Sequence, residues 1–206
     1  MQLAKPVVPD RKFFADIGSV QRIREGIVYA QCFQWPARIV SKAGYGKTTA
    51  LYYLAQEMGA TYCLAGQAHK TVPDMYRMLL TAFNIRTDRT YTRELFNDLV
   101  WNLKPSQWEL DTGAPERRVT LIVDEVQTLE ATAQRELLNI QETCNLALII
   151  SGNGERLART KIDRAAWDQI DSRIGMDITL PSLTRKDCEL IGAAYGVEGM
   201  DAYEAL

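Results

Sequence analysis

The chain has 206 residues, of which 47% are hydrophobic and 24% charged, and its formal net charge is −2. This is the composition of an ordinary globular domain, and it excludes a strongly basic protein. The longest apolar run, residues 50–55, is far shorter than the ~20 residues that a membrane-spanning helix needs. The four cysteines form no CxxC or Cys/His pair, and the first residues carry no apolar secretory signal. We therefore expect no zinc site and a reducing, cytoplasmic location.

The predicted elements alternate between helices and strands along most of the chain. Apolar residues at helical spacing predict a first helix over residues 17–31, and Pro36 ends it. Short apolar runs predict five strands, over residues 38–40, 60–64, 119–123, 146–150 and 176–180. Helices are predicted over residues 48–58, 73–83, 91–103 and 126–142, with further helical segments to about residue 174. This alternation predicts an α/β fold in which helices sandwich a parallel five-stranded sheet.

A phosphate-binding loop is predicted at residues 41–48, which read SKAGYGKT and match GxxxxGK[ST] except that Ser41 replaces the first glycine. Its glycines allow backbone turns that point N–H groups at a phosphate, and the helix that follows adds its positive end. Lys47 can reach the β- and γ-phosphates, and Thr48 offers a hydroxyl to Mg²⁺. The flanking strand and helix favour this interpretation over a chance Gly-Lys-Thr turn. The predicted ATP-contacting residues of the loop are Ser41, Lys42, Ala43, Gly44, Tyr45, Gly46, Lys47, Thr48 and Thr49.

A second motif, residues 119–125, is an apolar strand that ends in two carboxylates, Asp124 and Glu125. Asp124 at the strand end is predicted to contact the nucleotide and to hold Mg²⁺ together with Thr48, partly through water. Glu125 is predicted to act as the general base on the attacking water. Alone, such a strand end is often a surface turn, but after a phosphate-binding loop it is a specific partner.

Two further features complete the predicted catalytic set. The buried strand over residues 146–150 leads to Asn153, which could orient the water or touch the γ-phosphate; a plain turn, or Ser151 in its place, is the alternative. Arg173 is predicted to stabilise transition-state charge in a neighbouring subunit, and a salt bridge with Asp171 or Asp177 is the alternative. The other candidate arginines are Arg156, Arg159 and Arg164.

These four motifs, in this order, resemble those of the AAA+ ATPase family over roughly residues 15–185. Within that family the chain is similar to the transposition regulators of the MuB, TnsC and TniB type. Residues 150–153 and 171–173 resemble the corresponding segments of those proteins. The resemblance implies an N-terminal arm over residues 1–14, an ATPase core over residues 15–180, and the start of a short or truncated helical lid over residues 181–206. It also implies a nucleotide between subunits, with Arg173 supplied by the neighbour.

The resemblance implies a function as well: such proteins bind ATP and Mg²⁺, form filaments or rings on double-stranded DNA, and deliver that DNA to a transposase. DNA contact is expected to be non-specific and to involve the phosphate backbone. The basic segment over residues 70–93 is the candidate surface, although most of its residues individually fit a solvated helix face. Its candidate contacts are Lys70, Thr71, Arg77, Arg86, Arg89 and Arg93. The alternatives are a helicase loader or initiation-type ATPase that prefers single strands, and a nucleotide switch that acts only on a protein.

Overall fold

The computed structural model describes residues 6–105, 119–153 and 168–197. Five strands are present: β1 (Ala37–Val40), β2 (Thr61–Leu64), β3 (Thr120–Asp124), β4 (Ala147–Gly152) and β5 (Met176–Thr179). The helices whose bounds are described are α1 (Gly18–Phe33), α2 (Lys47–Glu57), α3 (Val72–Ala82), α4 (Thr92–Leu103), α5 (Ala131–Cys144) and α6 (Arg185–Ala194). The predicted α/β fold with a parallel five-stranded sheet is confirmed.

The strands form one sheet in the order β2-β3-β4-β1-β5, and each neighbouring pair is parallel. The strand that leads into the glycine-containing loop therefore lies between β4 and β5. Because all strands point the same way, the segments that follow β1, β3 and β4 lie at one edge, the carboxyl edge of the sheet. The topology thus brings together three of the four predicted motifs.

Side chains of the central strands alternate between two cores, one on each face of the sheet. Leu148 and Ile150 of β4 belong to the core formed with α3, α4 and α5. Ala147 and Ile149 belong to the core formed with α1 and α2. Every residue of β3 and β4 is buried, and a fully buried aliphatic side chain contributes ~1.5–3 kcal/mol. The edge of the sheet is therefore anchored by rigid central strands.

The helix predicted over residues 126–142 is interrupted, and this part of the prediction is wrong. Residues Val126–Thr128 form a 3₁₀ turn, and the α-helix begins only at Ala131. Gln134 holds the interruption in place because its Nε2 donates to the carbonyl oxygens of Val126 and Leu129, both at 3.1 Å. Apolar periodicity continues across such a turn, so it gave no sign of the break.

The first and last described segments pack together. Phe13, in a 3₁₀ turn over Arg11–Phe13, stacks on Tyr195 with ring centroids 4.5 Å apart. Arg11 places its guanidinium 4.9 Å from the centre of the Tyr53 ring of α2. The division into arm, core and lid stays a prediction. Within the described residues, no helix is long and apolar enough to cross a membrane.

Candidate active site at the carboxyl edge

The loop after β1 is shaped by two glycines and tied to the neighbouring strand. Gly44 and Gly46 have φ values of +86° and +71°, in the left-handed region that side chains rarely adopt. Ser41, by contrast, is not among the described residues with positive φ, so a side chain fits where the motif has its first glycine. Ser41 is buried, and its N–H donates to the Gly152 carbonyl oxygen at 3.3 Å.

Helix α2 begins at Lys47 and directs its first N–H groups towards the loop. Within the described residues no side chain caps these groups, and Gly46 at the N-cap has none to offer, so the positive end of the helix is suited to bind an anion. Lys47 is only 6% exposed, which places a positive charge in a largely dry environment. Backbone donors and a buried ammonium group together make an anion site.

Asp124 links the second motif to the first. It is completely buried, and its Oδ2 accepts from the Thr48 hydroxyl at 2.7 Å and from the Tyr62 hydroxyl at 3.1 Å. Its Oδ1 accepts from the Glu125 N–H at 2.9 Å. Burial, and then the Asp124 carboxylate, raise the pKa of Tyr62, so this hydroxyl stays a neutral donor. Asp124 is therefore held at a fixed position beside Thr48.

Sequence reasoning missed Tyr62. Its role depends on β2 lying next to β3, where Tyr62 pairs in register with Ile122, two positions before Asp124. The local sequence shows only a tyrosine in a short apolar strand, and nothing in that pattern indicates that its hydroxyl hydrogen-bonds to Asp124. Only the order of the strands in the sheet, with β2 beside β3, shows that the two residues meet.

Glu125 is adjacent to Asp124 but has a different backbone conformation. Its φ is 56°, in the left-handed region, and the side chain is half-buried. The Glu125 carbonyl oxygen accepts from the Thr128 hydroxyl at 3.0 Å, and its carboxylate accepts from the Gln127 side-chain amide. The two carboxylates therefore differ in their place: Asp124 is the last residue of the strand, and Glu125 is the first residue of the turn.

Strand β4 ends at Gly152, so Asn153 is the first residue beyond it at the same edge. Ser151 is fully buried inside the strand, and no described residue hydrogen-bonds its Oγ. The predicted role of Asn153 stays a prediction, and its position beyond the strand end is the one that role requires.

A cavity of about 330 Å³ opens beside the loop, between the start of α1 and the segment that leads into α6. Ser182 lines it, and its hydroxyl is 3.1 Å from the Tyr45 hydroxyl of the loop. Asp187 also lines it and accepts from the Gly18 N–H at 3.1 Å. Hydrogen bonds from Thr184 lower the pKa of Asp187. The cavity therefore lies next to the phosphate-binding loop, at the Tyr45–Ser182 contact. The hydrogen bond between Gly18 and Asp187 links the start of α1 to α6.

Arg173 lies away from this edge. It precedes β5, whose first residue, Met176, pairs with Ala37 at the start of β1, so Arg173 lies near the opposite edge of the sheet. Its side chain pairs with Glu142 at 3.3 Å. A surface salt bridge is the alternative to a role in catalysis, with Asp171 or Asp177 as the suggested partner.

Those two carboxylates instead bind Arg38, whose pKa is raised by its contact with Asp177. Arg156, Arg159 and Arg164 lie outside the described residues.

Some residues of the basic segment form ion pairs with described residues, and others form none with them. Arg77 pairs with Asp74 at 3.0 Å, and Arg89 pairs with Glu94 at 3.1 Å. The Thr71 hydroxyl donates to Asp74. Three exposed members form no ion pair with any described residue: Lys70, Arg86 and Arg93. The segment's excess charge is therefore concentrated on these three residues.

Comparison with known proteins shows the family of this chain and which solved structures share its fold. An AAA domain family model matches residues 38–159. The fold is similar to the ORC2 protein of Aeropyrum pernix in its ADP form, at 14% identity and a TM-score of 0.59, over 92% of this chain and 55% of that chain. It is also similar to the Aeropyrum pernix ORC1 protein in complex with DNA, at 15% identity and a TM-score of 0.58, over 92% of this chain and 50% of that one.

A third similar structure is the replication initiator DnaA bound to AMPPCP and single-stranded DNA, at 16% identity and a TM-score of 0.52, over 93% of this chain and 56% of that one. The chain thus spans about half the length of these structures. No curated protein sequence matches it.

Proposed function

Because the chain belongs to the AAA domain family, we propose that it binds Mg²⁺·ATP at the carboxyl edge of its sheet and hydrolyses it. One observation carries the proposal: the 2.7 Å hydrogen bond from Thr48 to Asp124, two residues 76 positions apart in sequence. This contact brings the phosphate-binding loop and the carboxylate strand into one site. A chance match of either motif does not account for their meeting.

The phosphates bind to the N–H groups of the loop and of the first turn of α2. Lys47, buried at that turn, neutralises the β- and γ-phosphates in a dry environment, where its charge is little screened. The base of the nucleotide enters the cavity beside Ser182 and Asp187. That cavity adjoins the loop through the Tyr45–Ser182 contact.

Thr48 and Asp124 are suited to Mg²⁺, which prefers hard oxygen ligands and is usually held by one or two protein groups plus phosphate oxygens. Their oxygens already lie 2.7 Å apart, so both face one point. When bound, the ion neutralises charge on the β- and γ-phosphates.

In the hydrolysis step a water oxygen attacks the γ-phosphorus, and the bond to the oxygen of the ADP leaving group breaks. Glu125 accepts the proton of that water, and Asn153 helps to orient it. Asp124 does not serve as the base, because its oxygens accept hydrogen bonds from Thr48, Tyr62 and the Glu125 N–H.

Arg173 acts on the nucleotide of a neighbouring subunit. Its place near the opposite edge of the sheet prevents it from serving its own site, and its half-exposed side chain can exchange Glu142 for a phosphate. Homo-oligomers therefore form when ATP is bound, because the γ-phosphate then lies between two subunits.

The assembly acts on double-stranded DNA and selects that DNA for a transposase. Support for the DNA comes from Lys70, Arg86 and Arg93, which form no ion pair with a described residue, since one or two charges per subunit add up when many subunits line one duplex. Support for the transposase comes from the motif resemblance over residues 150–153 and 171–173.

A second candidate is an initiation-type ATPase that acts on single strands. The likeness to the ORC proteins and DnaA favours it at the level of the fold. Single-strand binding uses aromatic stacking in addition to charge, and Tyr91 and Trp101, at 74% and 87% exposure, are available for it.

The two candidates separate in one experiment. ATP hydrolysis and DNA binding are measured with a long duplex, with a single strand of the same sequence and without DNA, in ATP, ADP or no nucleotide. Duplex coating that needs ATP supports target selection. A preference for the single strand supports the initiation-type candidate, and an ATPase rate that neither DNA changes would contradict both.

A further inference from the structure

The turn after Asp124 contains a glutamine whose side chain, within the described residues, hydrogen-bonds only to the proposed base. Gln127 Nε2 donates to Glu125 Oε2. Because a carboxylate only accepts hydrogen bonds, the NH₂ end of the amide must face Glu125, and Gln127 Oε1 must point away from it. That oxygen is buried, and no described residue donates to it. Burying an acceptor without a partner is costly, so such a group calls for an explanation.

The last residue of β4 makes room for this arrangement. A Cβ atom built on Gly152 would lie 2.7 Å from Gln127 Oε1, closer than real Cβ contacts come, and 3.5 Å from Val126 Cγ1. The Gly152 carbonyl oxygen also accepts from the Ser41 N–H. Gln127 is therefore confined between the Glu125 carboxylate and the strand end that leads into Asn153.

Another glutamine of the same region has the structural role that Gln127 lacks. Gln134 donates to two backbone carbonyl oxygens, those of Val126 and Leu129, and so fixes the course of the turn. Gln127 makes no hydrogen bond to the backbone within the described residues. Its amide acts on a side chain, the Glu125 carboxylate.

We propose that Gln127 is a positioning residue for ATP hydrolysis, and that Gly152 is the residue that permits its position. The inference rests on the proposed function. By occupying Oε2, the amide stops the carboxylate from rotating and leaves Oε1 to accept the proton of the attacking water. A displacement of a catalytic group by about 1 Å can lower a rate ~100-fold, so a fixed carboxylate has a large effect on turnover.

Gln127→Leu tests this, since leucine approximates the volume of glutamine but cannot donate. The kcat for ATP hydrolysis is expected to fall roughly 10- to 100-fold, while the KM for ATP and the affinity for ADP stay within about twofold, because Gln127 does not touch the predicted phosphate site. A purely structural role would instead change stability and affinity together. Glu130→Gln, an exposed change at the end of the same turn, is the matched control and should leave kcat unchanged.

A double-mutant cycle tests the role of Gly152. Gly152→Ala is expected to lower kcat as Gln127→Leu does, because the new methyl group displaces Oε1. In a Gln127→Ala background the same change should have little further effect, since the space is then empty.

Two results would overturn the proposal: a kcat that Gln127→Leu does not lower, or additive losses in the cycle. A wild-type rate no higher than that of Glu125→Gln would instead overturn the proposed function, and the inference with it.

Discussion

The carboxyl edge of the sheet and the basic segment over residues 70–93 both carry predicted phosphate-binding residues, but they are built differently. At the edge, Lys47 and Asp124 are 6% and 0% exposed, and Asp124 is held by three hydrogen bonds. In the basic segment the side chains are exposed, and two of the arginines already pair with carboxylates. Buried charges are fixed by the fold, whereas an exposed charge that is paired must give up its partner before it can bind a phosphate.

The largest effect is expected from changing Arg173. This change tests whether an exposed, paired arginine can still act on phosphate. Arg173→Ala is expected to lower ATP hydrolysis by the assembled protein roughly 1,000-fold, the usual contribution of an arginine supplied by a neighbour. Nucleotide affinity of the isolated chain should not change. Mixing the variant with Glu125→Gln should restore hydrolysis at the sites where an intact Glu125 meets an intact Arg173. No recovery in the mixture would contradict action between subunits.

The basic segment can be divided by two double variants of equal charge change. Arg86→Ala with Arg93→Ala is expected to reduce the slope of log affinity for duplex DNA against log salt by about 2, since each lost phosphate contact reduces it by ~1. Arg77→Ala with Arg89→Ala should change it less, because these side chains pair with Asp74 and Glu94. Equal slopes for both double variants would show that local pairing does not decide which residues contact DNA.

Tyr62→Phe removes one of the hydrogen bonds that hold Asp124. The free energy of unfolding is expected to fall by about 1 kcal/mol, because the buried carboxylate loses a donor. Since the pKa of Tyr62 is raised, the difference from wild type should stay constant up to alkaline pH. Denaturant unfolding between pH 7 and 9 measures it, and Tyr91→Phe, at an exposed position, is the control. A difference that disappears towards pH 9 would mean that Tyr62 ionises there.

The smallest effect concerns α6, whose first turn is capped by Thr184 and Asp187. Because the folded pKa of Asp187 is lowered from its ordinary value of 3.8, its contribution is fully present above that value and is lost as pH falls through the folded pKa. The protection of α6 against hydrogen exchange, taken relative to the intrinsic exchange rate at each pH, should therefore fall below about pH 4.

Asp187→Asn should remove this acid dependence and raise exchange at neutral pH by an amount corresponding to about 1 kcal/mol. Glu189→Gln, on the same helix, should leave the acid dependence intact. Acid dependence that persists in Asp187→Asn would assign it to another group.

How much the sequence predicts differs between the two regions for a physical reason. The strands and the loop at residues 41–48 are local patterns of apolar runs and glycines, so they could be predicted. The Tyr62–Asp124 contact depends on strand order, and the Gln127–Glu125 contact depends on a left-handed residue that interrupts a helical pattern. Neither of these two contacts can be predicted from a short stretch of the sequence.

In the basic segment the residue types were evident from the sequence, but their partners were not. Arg77 is paired by a carboxylate three positions earlier and Arg89 by one five positions later, whereas Arg86 and Arg93 form no ion pair with a described residue. Side-chain geometry in the folded chain makes that distinction. A count of positive charges therefore overestimates the surface available to DNA.

A calorimetric titration tests the nucleotide site most directly. A slowly hydrolysed ATP analogue is added to wild type and to Lys47→Ala, with and without Mg²⁺, and Lys104→Ala, an exposed lysine at the end of α4, serves as the control. We expect wild type and Lys104→Ala to bind one nucleotide per chain more tightly with Mg²⁺, and Lys47→Ala to bind at least ~100-fold more weakly. Equal affinity in all three proteins, or affinity that Mg²⁺ does not change, would contradict a Mg²⁺·ATP site built from Lys47, Thr48 and Asp124.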